Sequence, residues 1–258
     1  MTKTETRSRM DPRIRDRRVA VKRHEGRRRL RLIIAAVSVV ATLSLGWMLL
    51  HSPAFDVDHV RVTGDAHVSA AAVVGASELR RGEPMIGVRE TIVARRVRRL
   101  PWVRTARVTR RWPGTVVIEV RERRPAAVAR ARTGGWMLVD ATGRLLAPTP
   151  LPPPELEALE GTPPAGAPGD QLAPAAVAAL RVASLLPSSR VAVIRVVALL
   201  PDTTLELRLS AGGVVKFGPP DHVLDKLTAA LTVIDHVGAG AVGVLDVRVP
   251  ESPVLTRR

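Results

Sequence analysis

Apolar and polar positions along the chain follow three regimes. From Leu32 to Leu50 the run LIIAAVSVVATLSLGWMLL is 19 residues without a charge. A helix of that length measures about 28 Å, close to the roughly 30 Å hydrocarbon core of a bilayer, so residues 32–50 are expected to span a membrane. From Phe55 to Val128 short strand and helix patterns alternate. Val60 and Val62 share one face of a strand that ends at Thr63-Gly64-Asp65. Ser69 can cap a short apolar helix, Ala70 to Ala76, by accepting from the orphan amides of its first turn. From Arg89 a second helix places Ile92, Val93, Val97 and Leu100 on one stripe, and Pro101 stops it. Ala106 and Val108 then alternate with Arg107 and Thr109, and Val116, Ile118 and Val120 with Val117, Glu119 and Arg121. Trp112-Pro113-Gly114-Thr115 between them fits a type II turn, with glycine where φ must be positive.

The third regime, residues 129–258, is expected to form a mixed β-sheet with flanking helices. Trp136–Val139 and Arg144–Leu146 flank Asp140-Ala141-Thr142-Gly143, a hairpin turn whose glycine can take positive φ. Residues 147–168 hold eight prolines, which argue for an irregular surface excursion and against a central strand. Beyond it, Pro174 to Leu186 reads as a helix and Val191 to Leu199 as an apolar strand. Leu205, Leu207 and Leu209 alternate with Glu206, Arg208 and Ser210, so one face is buried and the other wet. Val214 to Phe217 gives a further strand. Asp221 is placed to cap a helix that carries Val223, Leu224, Leu227, Leu231 and Ile234 and stops near Gly238.

Charge separates these regimes further. Of the net +16, residues 1–31 contribute 13 basic and 4 acidic groups, and residues 80–132 contribute 16 and 4. By the positive-inside rule the first cluster puts residues 1–31 in the cytoplasm, as a disordered basic tail, and everything after the apolar run outside. A cleaved signal peptide competes, since Ser52-Pro53-Ala54 offers small residues to a peptidase. The apolar run and the basic stretch before it are both longer than such a peptide needs, so an uncleaved anchor is expected. Arg17-Arg18 and Arg27-Arg28-Arg29 could neutralise phosphates, but topology and anionic headgroups already account for them, and no specific nucleic acid is expected. Arg95, Arg96, Arg98 and Arg99 could form an electrostatic patch or simply a solvated helix face.

Catalytic chemistry has little to work with. The chain has no cysteine, which excludes disulfides, thiolate metal sites and a cysteine nucleophile. Its six histidines include no pair three or four apart, so no metal site is expected. Gly238-x-Gly240-x-x-Gly243 matches a dinucleotide fingerprint in spacing, but it follows a helix and precedes a strand, the reverse of the order a phosphate cradle needs. Glu155, Glu157 and Glu160 are expected in a solvated loop, with nothing to raise their acidity constants. His59 and His67 are read as single polar residues without chemistry, and Trp102 and Trp112 as core or turn packing. No enzyme, cofactor or small-molecule substrate is expected; a membrane-anchored hydrolase would need a carboxylate pair in a closed cleft.

Three segments carry a family resemblance: Leu100-Pro101-Trp102-Val103-Arg104-Thr105-Ala106-Arg107-Val108, Arg111-Trp112-Pro113-Gly114-Thr115 and Val120-Arg121-Glu122-Arg123-Arg124-Pro125. Their combined pattern, L-P-x-V-x-x-A-x-V, R-x-W-P and I-x-V-x-E-R-x-P, resembles the POTRA domain of the bacterial cell-division proteins FtsQ and DivIB. Lys216-Phe217-Gly218, Asp225-Lys226-Leu227 and Leu245-Asp246-Val247-Arg248 extend the likeness. The resemblance implies an α+β chain: one transmembrane helix, a POTRA domain (β-α-α-β-β) at 55–128 and an extracytoplasmic β domain at 129–258. It also implies a non-enzymatic septal scaffold that binds an FtsB/FtsL-like pair and, through it, helps control the septal peptidoglycan synthase. Leu245 to Val249 would be the penultimate strand, and Val249, Ser252, Pro253, Val254, Leu255 and Thr256 would receive a partner strand. The aromatics that the family often places at Val249 and near the end are missing. The alternative is a POTRA-bearing accessory of envelope assembly or secretion.

Overall fold

The structure is a computed structural model that describes residues 12–50, 52–64 and 66–258, excluding the side chains of residues 12–28, 50 and 188. Helix α1 (Pro12–Leu50) contains the expected span, and residues 29–49 are long and apolar enough to cross a membrane. Its apolar side chains are exposed, for example Leu43 and Met48. The basic stretch was expected to be irregular through residue 31, yet from Pro12 it continues the helix. Arg, Lys, Ala and Val propagate a helix once the apolar segment has nucleated it, and proline suits a first helical position. Residues 1–11 of the expected tail lie outside the described residues.

The first globular unit is built from β1 (His59–Thr63), α2 (Ala70–Ser77), α3 (Glu90–Val97), β2 (Val103–Arg111) and β3 (Thr115–Glu122). Its sheet has the order β1-β3-β2, with β1 parallel and β2 antiparallel to β3. Ser69 caps α2 as expected, its Oγ accepting from the Ala72 amide at 3.2 Å. The helices cover the sheet face that carries Val60, Val62, Ala106, Val108, Val116, Ile118 and Val120. The turn after β2 differs from expectation. Gly114 does not take the positive φ of a type II turn; the Trp112–Pro113 bond is cis, and glycine is needed because a Cβ would lie 2.8 Å from the Asp56 carbonyl oxygen.

The second unit is a nine-stranded mixed sheet ordered β12-β11-β10-β9-β8-β7-β4-β5-β6. Its strands are β4 (Pro125–Arg130), β5 (Trp136–Asp140), β6 (Leu145–Thr149), β7 (Glu157–Glu160), β8 (Ile194–Leu199), β9 (Leu205–Leu209), β10 (Val214–Gly218), β11 (Val242–Asp246) and β12 (Val254–Arg257). Helices α4 (Val177–Leu185) and α5 (Val223–Val237) pack on one face, over Leu145, Leu159, Ile194, Leu207, Phe217 and Leu245. Because β4 starts at Pro125, the second sheet begins a few residues before the expected boundary at 128/129.

The proline-rich excursion conceals a central strand, against expectation. Its prolines stop at Pro154 and resume at Pro163, and the proline-free interval supplies β7, which lies parallel to both β4 and β8. Backbone amides free to enter a ladder are what a central position requires, and this interval has them. Glu157 is therefore buried at 3% exposure, and Glu160 pairs with Arg208 at 2.7 Å, while Glu155 is exposed. The solvated-loop reading holds only for Glu155. The second misplaced expectation is the cap of α5: the N-cap is His222, and Asp221 instead meets the ammonium of Lys226, which is 2% exposed and also donates to the Pro219 carbonyl at 3.0 Å.

The two units are joined by hydrogen bonds that converge on Arg123. Its amide donates to Trp102 O at 2.7 Å, its Nε to Val103 O at 3.2 Å and its Nη1 to Asp140 Oδ2 at 2.6 Å. Asp140 is buried. Burial pushes its carboxyl up, but Arg123, Thr142 and Arg144 outweigh that and hold it below the usual carboxylate range. Arg144 then reaches back to Arg99 O at 2.9 Å.

Burial has the opposite outcome at Glu157. Loss of water raises its carboxyl from the ordinary 4.5 to about 7, against a smaller opposing pull from Arg195, and Oε1 has no hydrogen-bond partner. Between pH 4.5 and 7 the folded chain holds a proton that the unfolded chain has released. Stability is therefore full below about 4.5 and is lost as pH rises toward 7. Urea unfolding should show the second sheet about 1–3 kcal/mol more stable at pH 5 than at pH 8, and Glu157→Gln should flatten that slope. A slope unchanged in the Gln variant would contradict the assignment.

Candidate functional site

A sheet margin exposes unpaired amides and carbonyls, so each margin must be covered, blunted or used. The β6 margin is covered at its start and interrupted by a proline. Pro148 has no amide to offer there, Leu145 exchanges hydrogen bonds with Asp170 O (2.9 Å) and the Gly169 amide (2.8 Å), and the Leu172 amide donates to Gly143 O at 2.7 Å. At the opposite margin β12 pairs only with β11, in the register Asp246↔Val254, Leu245↔Leu255 and Val244↔Thr256. No described segment lies on its outer side.

Local sequence explains why the margin ends this way. β11 stops at Asp246, whose carboxylate takes the Arg248 guanidinium at 2.7 Å and 3.0 Å, and the Ser252 amide donates to Val249 O at 3.1 Å to close a turn. Val249 thus lies in the turn and not in the penultimate strand, contrary to the expected span of Leu245 to Val249. Burial of Asp246 is secondary to its Arg248 bonds, which hold its carboxyl low. Beyond the turn, Arg258 donates its amide to Ala241 O at 3.3 Å and its guanidinium to Ala211 O, tacking down the end of the chain. Gly243, at a bulge in β11, makes the close pairing possible, since a Cβ there would stand 2.9 Å from Thr256 O.

The six residues expected to receive a partner are thus brought together in one turn and one edge strand, with unequal roles. Val249 and Val254 are 58% and 64% exposed, and Ser252, Pro253 and Thr256 are exposed as well. Leu255 points the other way, half-buried against the core beneath α5. The expected arginine patch is less uniform: Arg95, Arg98 and Arg99 are exposed, whereas Arg96 pairs with Glu78 at 3.1 Å and reaches Ser77 O.

His67, which spacing alone left without a role, stacks on Trp102 with ring centroids 4.4 Å apart. Its ring and the amides of Ala66, His67 and Val68 all meet Glu122. Burial raises the Glu122 carboxyl, but those amides and the ring outweigh it and bring it down to about 2. This knot ties the 66–68 loop to the end of β3, next to Arg123. Among the described residues no group of three or more histidines and acids is arranged to hold a metal. The cleft of about 660 Å³ between α4 and the start of α5 is lined by Leu180, Arg181, Ser184, Leu224 and a single carboxylate, Asp225.

Comparison with known proteins agrees with this architecture. The family model described as "POTRA domain, FtsQ-type" matches residues 55–123, ending where the first sheet ends. The cell division protein FtsQ of Corynebacterium glutamicum is 25% identical over 80% of this chain and 90% of that protein. Those of Mycolicibacterium smegmatis and Streptomyces bingchenggensis are 30% and 36% identical over 87% and 50% of this chain, which spans 64% and 51% of their respective lengths. The extracytoplasmic domain of DivIB from Geobacillus stearothermophilus, a solved structure, is similar over 45% of this chain and 94% of that one, with 18% identity and a TM-score of 0.33, a superposition too loose to bear on the fold. An α+β chain with one apolar helix that fits a transmembrane anchor, followed by a POTRA unit and a large sheet, defines an anchored POTRA protein of the FtsQ type. Residues 55–123 form a POTRA domain of the FtsQ type, and the chain as a whole is similar to the cell division protein FtsQ of several bacteria.

The glycine at the β11 bulge gives a direct check on the margin. Gly243→Val should push β12 off β11 at a cost of about 1–3 kcal/mol, because the clash is with backbone. Carboxypeptidase B should then remove Arg258 and Arg257 several-fold faster than from the unaltered chain. Unchanged trimming would show that β12 does not depend on this close approach.

Proposed function

We propose that the protein is a non-enzymatic scaffold of the bacterial division septum, which receives an extended segment of an FtsB/FtsL-like pair as a further strand on β12 and thereby helps control septal peptidoglycan synthesis. One observation carries this reading: of the two margins of the nine-stranded sheet, β6 is covered at its start and broken by Pro148, whereas β12 has no described segment on its outer side. A strand added there gains main-chain hydrogen bonds for affinity, while alternate side chains give specificity. Val254 and Thr256 present one face of that margin, and Val249 and Pro253 flank it at the turn.

Without aromatic anchors in this tail, affinity rests on the backbone ladder and on Val249 and Val254, since large aromatic side chains are what usually concentrate binding energy. α1 holds the scaffold in the cytoplasmic membrane with its N-terminus inside and both globular units outside. The arginines in the last turn of α3 and just beyond it remain available as a patch for an anionic surface, Arg95, Arg98 and Arg99 more so than the paired Arg96.

Val254→Glu with Thr256→Glu places charge on the open face while leaving Leu255 in the core. This pair should lower capture of the FtsB/FtsL-like complex at least tenfold with no change in circular dichroism, and midcell placement of a fluorescent fusion should be lost or weakened. Undiminished capture by the folded double variant would remove the assignment. An even envelope signal from the unaltered fusion would remove the septal role.

A further inference from the structure

The POTRA sheet buries one face beneath α2 and α3; on its other face Val117 is buried, while most of the residues around it are exposed. Register fixes what that open face carries. Arg61 of β1 stands beside Val117 of β3 and Thr109 of β2, Thr63 beside Glu119 and Arg107, and Arg121 beside Thr105, while Arg111 ends β2. Arg61, Arg107, Arg111 and Arg121 are all exposed, with Glu119 the one carboxylate among them. None of these four arginines makes an ion pair within 4 Å among the described residues, unlike Arg110 on the opposite face, which takes Glu90 at 3.1 Å. Four arginines without ion pairs on a single face, offset only by Glu119, repel one another, and an external anion would relieve that repulsion.

Chain connectivity says where that face stands. Phe55 lies five residues beyond Leu50, the last residue of α1, and its ring meets Trp112 edge-on with centroids 5.8 Å apart. The amides of Asp58 and His59 both donate to Gly114 O, at 2.8 Å and 3.1 Å. The turn after β2 is thereby fastened to the chain as it leaves the anchor. Five residues reach at most about 18 Å, so Arg111 and Trp112 stand within range of the headgroup layer of any bilayer that α1 crosses. Trp112 is 48% exposed there, and tryptophan prefers that layer.

We infer that the open POTRA face, Arg61, Arg107, Arg111 and Arg121 around Thr109, docks on the anionic phospholipid headgroups of the membrane that holds α1, with Trp112 at its rim. Guanidinium forks match phosphate oxygens, and a predominantly cationic face suits an anionic surface. The anchor keeps that surface at high effective concentration, which no soluble acidic partner enjoys. The α3 arginines lie on the other side of the sheet, so they cannot touch the same plane at once. The inference rests on α1 crossing a bilayer and is independent of any strand received at β12.

Because the natural chain has no cysteine, a single dye can be placed at Thr109→Cys, on the docking face, or at Thr91→Cys, exposed on α3. The full-length chain in nanodiscs of phosphatidylcholine, with or without phosphatidylglycerol, carries a headgroup-spin-labelled lipid as quencher. Phosphatidylglycerol should increase quenching at Thr109 at least threefold. The increase should vanish in 1 M salt, where the screening length is about 3 Å, and in the Arg61/Arg107/Arg111/Arg121→Gln variant. If that variant misfolds by circular dichroism, Arg107→Gln with Arg121→Gln should remove about half of the increase. Equal quenching in neutral and anionic discs, or an equal rise at Thr91, would overturn the inference. No division partner is present in this assay, so its failure and the failure of strand pairing at β12 are separate results.

Discussion

Amides and carbonyls along a sheet margin must meet water, a covering segment or another strand, and in this protein that requirement is met differently at the two ends of one nine-stranded sheet. At β6 the chain covers the start of its own margin with residues 169–172 and breaks the rest with a proline. At β12 it does not, and the edge strand is short, half of a hairpin whose turn is drawn in by Asp246 and Arg248. Short edge strands are one of the ways proteins limit unwanted pairing. A four-residue edge supported by a buried neighbour, Leu245, leaves an outer side open while limiting aggregation. The scaffold beneath it, α5 on β11 and β10, keeps that margin in one place.

Polar contacts join the POTRA unit to the second sheet near its β6 end, far from β12. Arg123 and Asp140 hold the second sheet to the POTRA unit, and the Glu122 knot holds the POTRA loop beside them. An ion pair of this kind is weak evidence for net stability but strongly penalises any arrangement that separates its partners. Its contribution here is orientation: it fixes the end of β3 against β5. Lys226 plays the equivalent part inside the second unit, fixing the loop that enters α5.

Much of this architecture is legible in the sequence, and what is hidden has identifiable physical causes. Val60/Val62, Val116/Ile118/Val120 and Leu205/Leu207/Leu209 declare their strands because each has one wet face, so period two survives in the residue types. β7 lacks that signature: it is central and short, and counting prolines across 147–168 conceals the gap between Pro154 and Pro163. The burial of Glu157 and Lys226 depends on strand order and on the loop around Pro219, neither of which leaves a local mark. Gly114 illustrates a different limit, since glycine suits both a positive φ and a close backbone approach, and only the neighbouring Asp56 carbonyl distinguishes them. For the candidate site, the location of 249–256 follows from family likeness alone. The division of labour between exposed Val254 and inward Leu255 becomes visible only with the register to β11.

The central claim is that β12 is where a partner strand joins. Hydrogen exchange of the intact chain, with and without the FtsB/FtsL-like pair, reads this at the amides themselves. Slowed exchange is expected only at Val254–Arg257 and the 249–252 turn, with residues 145–149 at the other margin unchanged. Protection that appears elsewhere and leaves 254–257 as exposed as before would contradict it.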